Sequence, residues 1–146
     1  MNGDVPQFSV ILTCYNEERF IADAIDSVLN QTYVHRIKEI VVTDDGSKDN
    51  SKKIILQKAH ENQNPVIKYI YQENKGLPSA RNTAIQQTSG DYIAILDGDD
   101  LWYPNKIEIL AKHIDEYPQV GLFYSNSYFS RKTEFGTWKT NFLMIM

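Results

Sequence analysis

Short apolar runs alternate with helical segments along the chain, and this alternation constrains the fold more than any other feature. Four runs are expected to be strands: Phe8 to Thr13, Ile37 to Thr43, Val66 to Tyr71 and Asp91 to Leu96. The first is short, β-branched and nearly continuous in hydrophobicity, which is typical of a strand buried on both faces. A fifth strand is expected at Val120 to Tyr124. Strands joined by crossover helices predict an α/β fold with a mostly parallel, doubly wound sheet and flanking helices.

The segments between the strands carry apolar residues at helical spacing. The first forms a single apolar stripe, made of Phe20, Ile21, Ala24, Ile25, Val28 and Leu29. Asn16 is expected to cap this helix, because asparagine is a favoured N-cap residue. Further helices are expected from about Asn50 to His60, from Leu77 to Thr88, and after Pro104, which suits a first helical turn.

Composition excludes several classes of protein. The 146 residues are enough for one domain, and the net charge of −4 gives no basic surface for nucleic acid, so no nucleic-acid partner is expected. Cys14 is the one cysteine, which excludes an internal disulfide and fits a reducing compartment. The N-terminus does not resemble a secretory signal, and no apolar run approaches the roughly 20 residues of a transmembrane helix. These features favour a cytoplasmic protein.

Acidic side chains follow three of the predicted strands. Ligands of such sheets bind outside the carboxyl ends of the strands, so Thr13 to Glu17, Asp44 to Ser47 and Asp97 to Asp100 are expected to lie together. Carboxylates brought together repel one another, and a hard divalent cation such as Mg²⁺ is the simplest compensation. An isolated Asp-x-Asp is also typical of a solvated turn, but its place after an apolar strand favours a site.

Three further side chains at this edge have two interpretations each. Tyr15 offers a face for a nucleobase or packs against Phe20 at the rim. Asp44 accepts a hydrogen bond from the imide N–H of uracil or caps the following helix. Arg81 pairs with the acidic cluster or a diphosphate, or it forms a surface ion pair of little energetic value.

Four linked motifs resemble the family 2 glycosyltransferases of the GT-A fold, which is Rossmann-like. In chain order they are VILTCYNEERFIADAIDSVLNQTY, EIVVTDDGSKDNS, NKGLPSARNTAI and GDYIAILDGDDLWYP, and their order and spacing match over roughly residues 7 to 128. The resemblance implies that a nucleotide sugar, expected to be a UDP-sugar, binds together with Mg²⁺ or Mn²⁺.

The resemblance also implies roles for single residues. Thr13 and Tyr15 contact the nucleobase, Glu17 contributes to donor binding, and Asp44 reads the uracil N–H with support from Asp45. The remaining roles lie nearer the diphosphate: Arg81 braces the nucleotide site, Asp97 contacts the ribose or the metal, Asp99 is the direct metal ligand, and Asp100 caps a helix or supports the ligands.

The implied reaction is inverting transfer of the sugar to a hydroxyl of a saccharide or lipid-linked acceptor, as in envelope polysaccharide assembly. Residues 1–130 are expected to form the nucleotide-sugar-binding domain, and 131–146 the start of an acceptor region or a truncated tail. No catalytic residue is identified: after Asn126 only Glu134 is acidic, so the acceptor half is incomplete and the base is expected beyond residue 146.

Alternative functions remain open. One is a binding-only or inactive nucleotide-sugar module that lacks the catalytic base. A nucleotidyltransferase is disfavoured because Thr13 to Arg19 has no glycine, and a phosphoacceptor receiver domain because no lysine follows Val120 to Tyr124 directly. The sheet edge and the apolar residues after Asn141 predict self-association or a membrane-associated assembly partner, which would place the protein peripherally at the inner face of the membrane.

Overall fold

The computed structural model describes residues 5–125, 127, 129–132 and 138–141. The chain divides into two compact units, residues 1–113 and 114–146. The domain boundary expected at residue 130 stays a prediction. None of the helices in the described part of the chain is long and apolar enough to cross a lipid bilayer.

The first unit contains a sheet of four parallel strands. They are β1 (Phe8–Cys14), β2 (Ile37–Asp44), β3 (Val66–Tyr71) and β4 (Tyr92–Asp97), in the order β3-β2-β1-β4. All seven residues of β1 are buried, because β1 has a strand on each side and lies in the centre of the core. The predicted α/β fold with a parallel sheet is confirmed, and each strand end lies within one residue of its predicted position.

Among the described residues, four α-helices connect or follow the strands: α1 (Ile21–Leu29), α2 (Ser51–Glu61), α3 (Leu77–Ile85) and α4 (Lys106–Glu116). The chain runs from β1 to β2 to β3 in one direction and then returns to place β4 on the other side of β1. Helix α3, in that return connection, packs on β1 and β2, where Ala84 meets Ile11 and Val41. The strand order therefore switches direction at β1, between β2 and β4.

Two predicted local features are wrong. Asn16 does not cap α1: the helix begins after Phe20, and the amides of Phe20 and Ile21 both donate to the backbone oxygen of Glu17 at 2.9 Å. Pro104 lies in the turn before α4 rather than in its first helical turn. Both errors concern the entry into a helix, and at α1 a backbone acceptor takes the place of the expected side-chain cap.

Val120 to Tyr124 is not a strand, which corrects the fifth predicted element. Leu122 and Tyr124 are 80% and 93% exposed, so these apolar side chains do not pack into a core. Gly121 weakens an extended conformation here, and no strand pairs with this segment in the part of the chain that the structure describes. The second unit instead contains β5 (Phe129–Lys132), antiparallel to β6 (Trp138–Asn141).

A buried carboxylate joins the strands at the amino edge of the sheet. Glu39 is 3% exposed, and its Oε1 accepts hydrogen bonds from Ser9 Oγ at 2.8 Å and from Ser89 N at 2.6 Å. Lys68 Nζ lies 2.5 Å from Glu39 Oε2. Burial raises the pKa of Glu39, but the hydrogen bonds from Lys68, Ser9 and Ser89 outweigh it and bring the pKa down to about 2. The ionised carboxylate is therefore part of the folded core.

Candidate functional site

A cavity of about 410 Å³ lies at the carboxyl edge of the sheet. Its lining comes from the ends of β1 and β4, the loops after β2 and β3, and the first turn of α3: Thr13, Cys14, Tyr15, Glu17, Asp45, Asn74, Gly76, Leu77, Ala80, Asp97 and Asp99. Five of the predicted site residues thus surround one cavity: Thr13, Tyr15, Glu17, Asp97 and Asp99. This volume is in the range of small-molecule sites.

Strand register brings Thr13 and Asp97 together. Thr13 and Asp97 are direct partners in the parallel ladder of β1 and β4, and Thr13 Oγ1 donates to Asp97 Oδ1 at 3.0 Å. Arg81 Nη2 donates to both oxygens of Asp97 at 2.8 Å. The negative charge of the Asp97 carboxylate is therefore already compensated by the guanidinium of Arg81 and the hydroxyl of Thr13.

Arg81 does not line the cavity but acts on it through Asp97. Its side chain is 35% exposed, and its Nε is buried and has no hydrogen-bond partner among the described residues. Of the two predicted interpretations, pairing with the acidic cluster is the one that the geometry supports. Nε remains an available donor beside it.

Glu17 contributes a second carboxylate, which lacks such compensation. Its Oε2 is buried without a hydrogen-bond partner among the described residues. Burial, followed by the negative charges of Asp99 and Asp97, raises the pKa of Glu17 to about 8. The same causes, burial first and then Asp99 and Asp97, raise the pKa of Asp100. Negative charge at this edge thus exceeds what the protein neutralises.

Gly98 lets the loop after β4 approach Glu17 closely. The Gly98 amide donates to the Thr13 backbone oxygen at 2.9 Å. A Cβ at this position would overlap Glu17 Oε2 and lie 2.8 Å from that same Thr13 oxygen. The backbone between Asp97 and Asp99 therefore passes directly beside the unpartnered carboxylate.

These observations fit a hard divalent cation. Asp99 is exposed at the cavity, and Glu17 Oε2 and Asp97 lie on the same lining. Within the described ranges, no three His, Cys, Asp or Glu side chains are grouped closely enough to form a complete metal site. Mg²⁺ usually takes only one or two protein carboxylates and completes its shell with water and phosphate oxygens, so the predicted pair of Asp99 and Asp97 is sufficient in number.

Asp44, the last residue of β2, and Asp45, which follows it, have different surroundings. Asp44 is 1% exposed and does not line the cavity; its Oδ1 accepts from Ser47 N and its Oδ2 from Tyr69 Oη, both at 2.8 Å. Asp45 does line the cavity. The predicted binding residue Asp44 thus lies below the surface of the cavity, with its neighbour at that surface.

Asp45 also shapes the far wall of the cavity. It accepts hydrogen bonds from Gln72 Nε2 at 2.7 Å and from the amides of Lys75 and Gly76 at 2.8 Å. Burial raises the pKa of Asp45, but the three hydrogen bonds together have a larger, opposite effect. The pKa is therefore lowered overall and the carboxylate stays ionised. The loop before α3 is thereby held against the end of β2.

That loop and the start of α3 supply the lining residues that sequence reasoning missed. Asn74, Gly76, Leu77 and Ala80 form this wall, and Gly76 has a φ of +86°. The signal was present, since the motif NKGLPSARNTAI places a glycine and a proline before a helix. Of this motif, the sequence analysis assigns only Arg81 to the site.

Tyr15 and Cys14 complete the rim near β1. Tyr15 is 47% exposed and lines the cavity. Burial, more than any other cause, raises the pKa of Cys14 to about 12, which keeps the thiol protonated and unreactive.

A parallel sheet with a cavity lined by carboxyl groups at its switch in strand order is typical of α/β proteins that bind a ligand at the carboxyl ends of their strands. The model of the family Glycosyl transferase family 2 matches residues 9–145, and the chain belongs to this family. Its fold is the GT-A fold of these enzymes.

Three similar proteins illustrate the relationship. An uncharacterized glycosyltransferase of Nostoc sp. is 39% identical over 118 residues, which is 81% of this chain. S. aureus TarS 1-349 in complex with UDP-GlcNAc has a TM-score of 0.68 at 31% identity over 77% of this chain. The mannosyltransferase PcManGT from Pyrobaculum calidifontis, in complex with GDP-Man and Mn²⁺, has a TM-score of 0.68 at 26% identity over 79%. This chain spans 36%, 32% and 33% of the three, respectively.

Proposed function

We propose that this chain binds a nucleotide diphosphate sugar, and specifically a UDP-sugar, as the donor of a glycosyltransferase reaction. In that reaction the sugar is transferred to an acceptor hydroxyl with inversion. One observation carries the proposal: Glu17, Asp97 and Asp99 converge on a cavity at the switch in strand order. Complexes of similar chains with UDP-GlcNAc and with GDP-Man and Mn²⁺ support a nucleotide sugar as the ligand.

The nucleobase would bind between Tyr15 and Asp45. The exposed ring of Tyr15 offers a stacking surface, and stacking on aromatic side chains contributes about 1–3 kcal/mol per base. For the imide N–H of uracil we propose Asp45, rather than Asp44, as the acceptor. Asp45 lines the cavity, whereas Asp44 lies below its surface.

Asp99, with Asp97 beside it, would hold Mg²⁺ or Mn²⁺. The cation supplies charge neutralisation for the departing diphosphate. Arg81 and Thr13 orient the carboxylate of Asp97, so its position is set before the donor arrives. Because burial and the charges of Asp99 and Asp97 raise the pKa of Glu17 to about 8, Glu17 is mostly protonated near pH 7 without a cation, and a cation bound beside it would favour its ionised form.

A general base must take the proton of the acceptor hydroxyl, and we expect it from an acceptor-binding region outside the cavity described above. Glu134, the acidic residue that follows Asn126, lies outside the described residues. The acceptor would be a saccharide or lipid-linked hydroxyl. A module that binds the donor without transferring the sugar is the alternative, and it shares every donor contact.

Calorimetry of the chain with UDP, in MnCl₂ and in EDTA, tests donor binding. We expect binding in MnCl₂ that is at least about tenfold weaker in EDTA, because the diphosphate needs the cation to approach the carboxylates. GDP serves as the control for base recognition and should bind more weakly than UDP. Equal affinity with and without Mn²⁺, or no binding, would refute the proposal; binding without release of sugar from UDP-sugars would favour the binding-only module.

A further inference from the structure

Asn16 has an unusual backbone conformation between two cavity residues. Its φ of +55° makes it the one non-glycine residue with positive φ in the described part of the chain. Asparagine tolerates this left-handed region better than most residues, but it still avoids it without compensation. A backbone outlier beside a ligand cavity suggests a functional constraint.

The compensation comes from the loop after β2. The Asn16 amide donates to Ser47 Oγ at 2.9 Å, and Asn16 Oδ1 accepts from the Lys48 amide at 2.8 Å. Ser47 is held in turn by its amide, which donates to Asp44 Oδ1 at 2.8 Å. The turn after β1 is therefore fixed to the end of β2 by both the backbone and the side chain of Asn16.

Asn16 itself does not line the cavity, although Tyr15 before it and Glu17 after it both do. It does not cap α1 either, since Glu17 supplies the acceptor for the first helical amides. Its hydrogen bonds to the loop after β2 therefore indicate a structural role for Asn16, which is to set the direction in which the chain leaves β1. The Asn16 amide belongs to the peptide that joins Asn16 to Tyr15, so its hydrogen bond to Ser47 Oγ also restrains the backbone that carries the Tyr15 ring.

We propose that Asn16 is a positioning residue of the donor site, which orients Tyr15 toward the nucleobase by holding the turn after β1 in the left-handed conformation; this inference rests on the proposed donor-binding function. Asn16→Ala removes the acceptor for Lys48 and disfavours the positive φ. Asn16→Gly removes the acceptor but keeps the conformation. The pair separates the two contributions.

The test measures UDP affinity in MnCl₂ by calorimetry, at a temperature where circular dichroism shows every variant folded. We expect about tenfold weaker binding for Asn16→Ala and about threefold for Asn16→Gly, from the lost hydrogen bond and the strained φ. Asn82→Ala, an exposed asparagine on α3, is the control and should bind like the wild type.

A double-mutant cycle with Tyr15→Ala distinguishes positioning from a general structural effect. If Asn16 acts through Tyr15, adding Asn16→Ala to Tyr15→Ala weakens binding by less than about twofold. The inference is overturned if Asn16→Ala binds like the wild type, or costs as much without Tyr15 as with it. If Asn16→Ala does not fold, Asn16→Gly alone and in the Tyr15→Ala background gives the same comparison. A wild-type chain that does not bind UDP refutes the proposed function and this inference together.

Discussion

The buried carboxylate of Glu39 gives a prediction whose magnitude follows from the structure. Glu39→Gln keeps an oxygen acceptor for Ser9 and Ser89 but removes the charge that faces Lys68. Lys68 is 44% exposed and can be solvated after the change. The substitution therefore isolates the contribution of the ionised carboxylate.

The sign and size follow from the pKa. The pKa is lowered from 4.5 to about 2, which at about 1.4 kcal/mol for each tenfold change in proton affinity corresponds to about 3 kcal/mol. Because the folded pKa is depressed, this stability is fully present above about pH 4.5 and is lost as the pH falls toward 2. About 2 kcal/mol of it should already be lost at pH 3.

Urea unfolding at pH 7, 5, 4 and 3 measures this loss. We expect Glu39→Gln to be about 3 kcal/mol less stable than the wild type at pH 7, with the gap narrowing to about 1 kcal/mol at pH 3. Glu61→Gln, at the exposed end of α2, is the matched control and should follow the wild type. A gap that stays constant from pH 7 to pH 3 would show that Glu39 is not held ionised by its partners. Folded Glu39→Gln should keep its affinity for UDP, because Glu39 lies at the edge opposite the cavity.

Three substitutions at the cavity test its construction. Gly98→Ala should destabilise the fold by about 1–3 kcal/mol in thermal unfolding and weaken UDP binding, because the new Cβ meets Glu17 Oε2 and backbone. Arg81→Ala should weaken Mn²⁺-dependent UDP binding about tenfold in calorimetry by leaving Asp97 misplaced, with partial retention in Arg81→Lys. Asp99→Asn should abolish the stabilisation by Mn²⁺ and UDP in a thermal-shift assay while raising or preserving the metal-free melting temperature, since it relieves repulsion with Glu17. Opposite outcomes would contradict, respectively, the close packing, the ion pair and the charge excess.

The central strand β1 could be predicted from the sequence because a buried parallel strand is a nearly continuous apolar run, whereas β3 and β4 are partly exposed and were indicated by short apolar segments between turns. β1 to β4 each lie within one residue of expectation. The error at Val120 to Tyr124 arose because an apolar run alone does not make a strand. A strand also needs a neighbouring strand with which its backbone can form hydrogen bonds. Helix ends were less certain: α3 ends at Ile85 instead of Thr88.

The site was predictable as a set of strand ends but not residue by residue. The topology predicts that the ends of β1 and β4 lie side by side, and the register of their pairing places Thr13 opposite Asp97. The choice between Asp44 and Asp45 depends on where the chain leaves β2: Tyr69 pairs with Val42, one strand period from Asp44, and its hydroxyl captures that carboxylate. No local pattern encodes such a contact between strands.

The cavity separates two kinds of carboxylate, and that division supports its proposed role. Asp97 is neutralised by Arg81 and oriented by Thr13, so its position is fixed at little electrostatic cost. Glu17 and Asp99 are left without comparable compensation. Burial first, and then repulsion from Asp99 and Asp97, raises the pKa of Glu17 to about 8. A protein selected only for stability would relieve this repulsion, for example with an amide at either position. Its persistence beside a cavity of this size is what a site for a cation and a diphosphate requires, because those ligands supply the missing positive charge and make use of it.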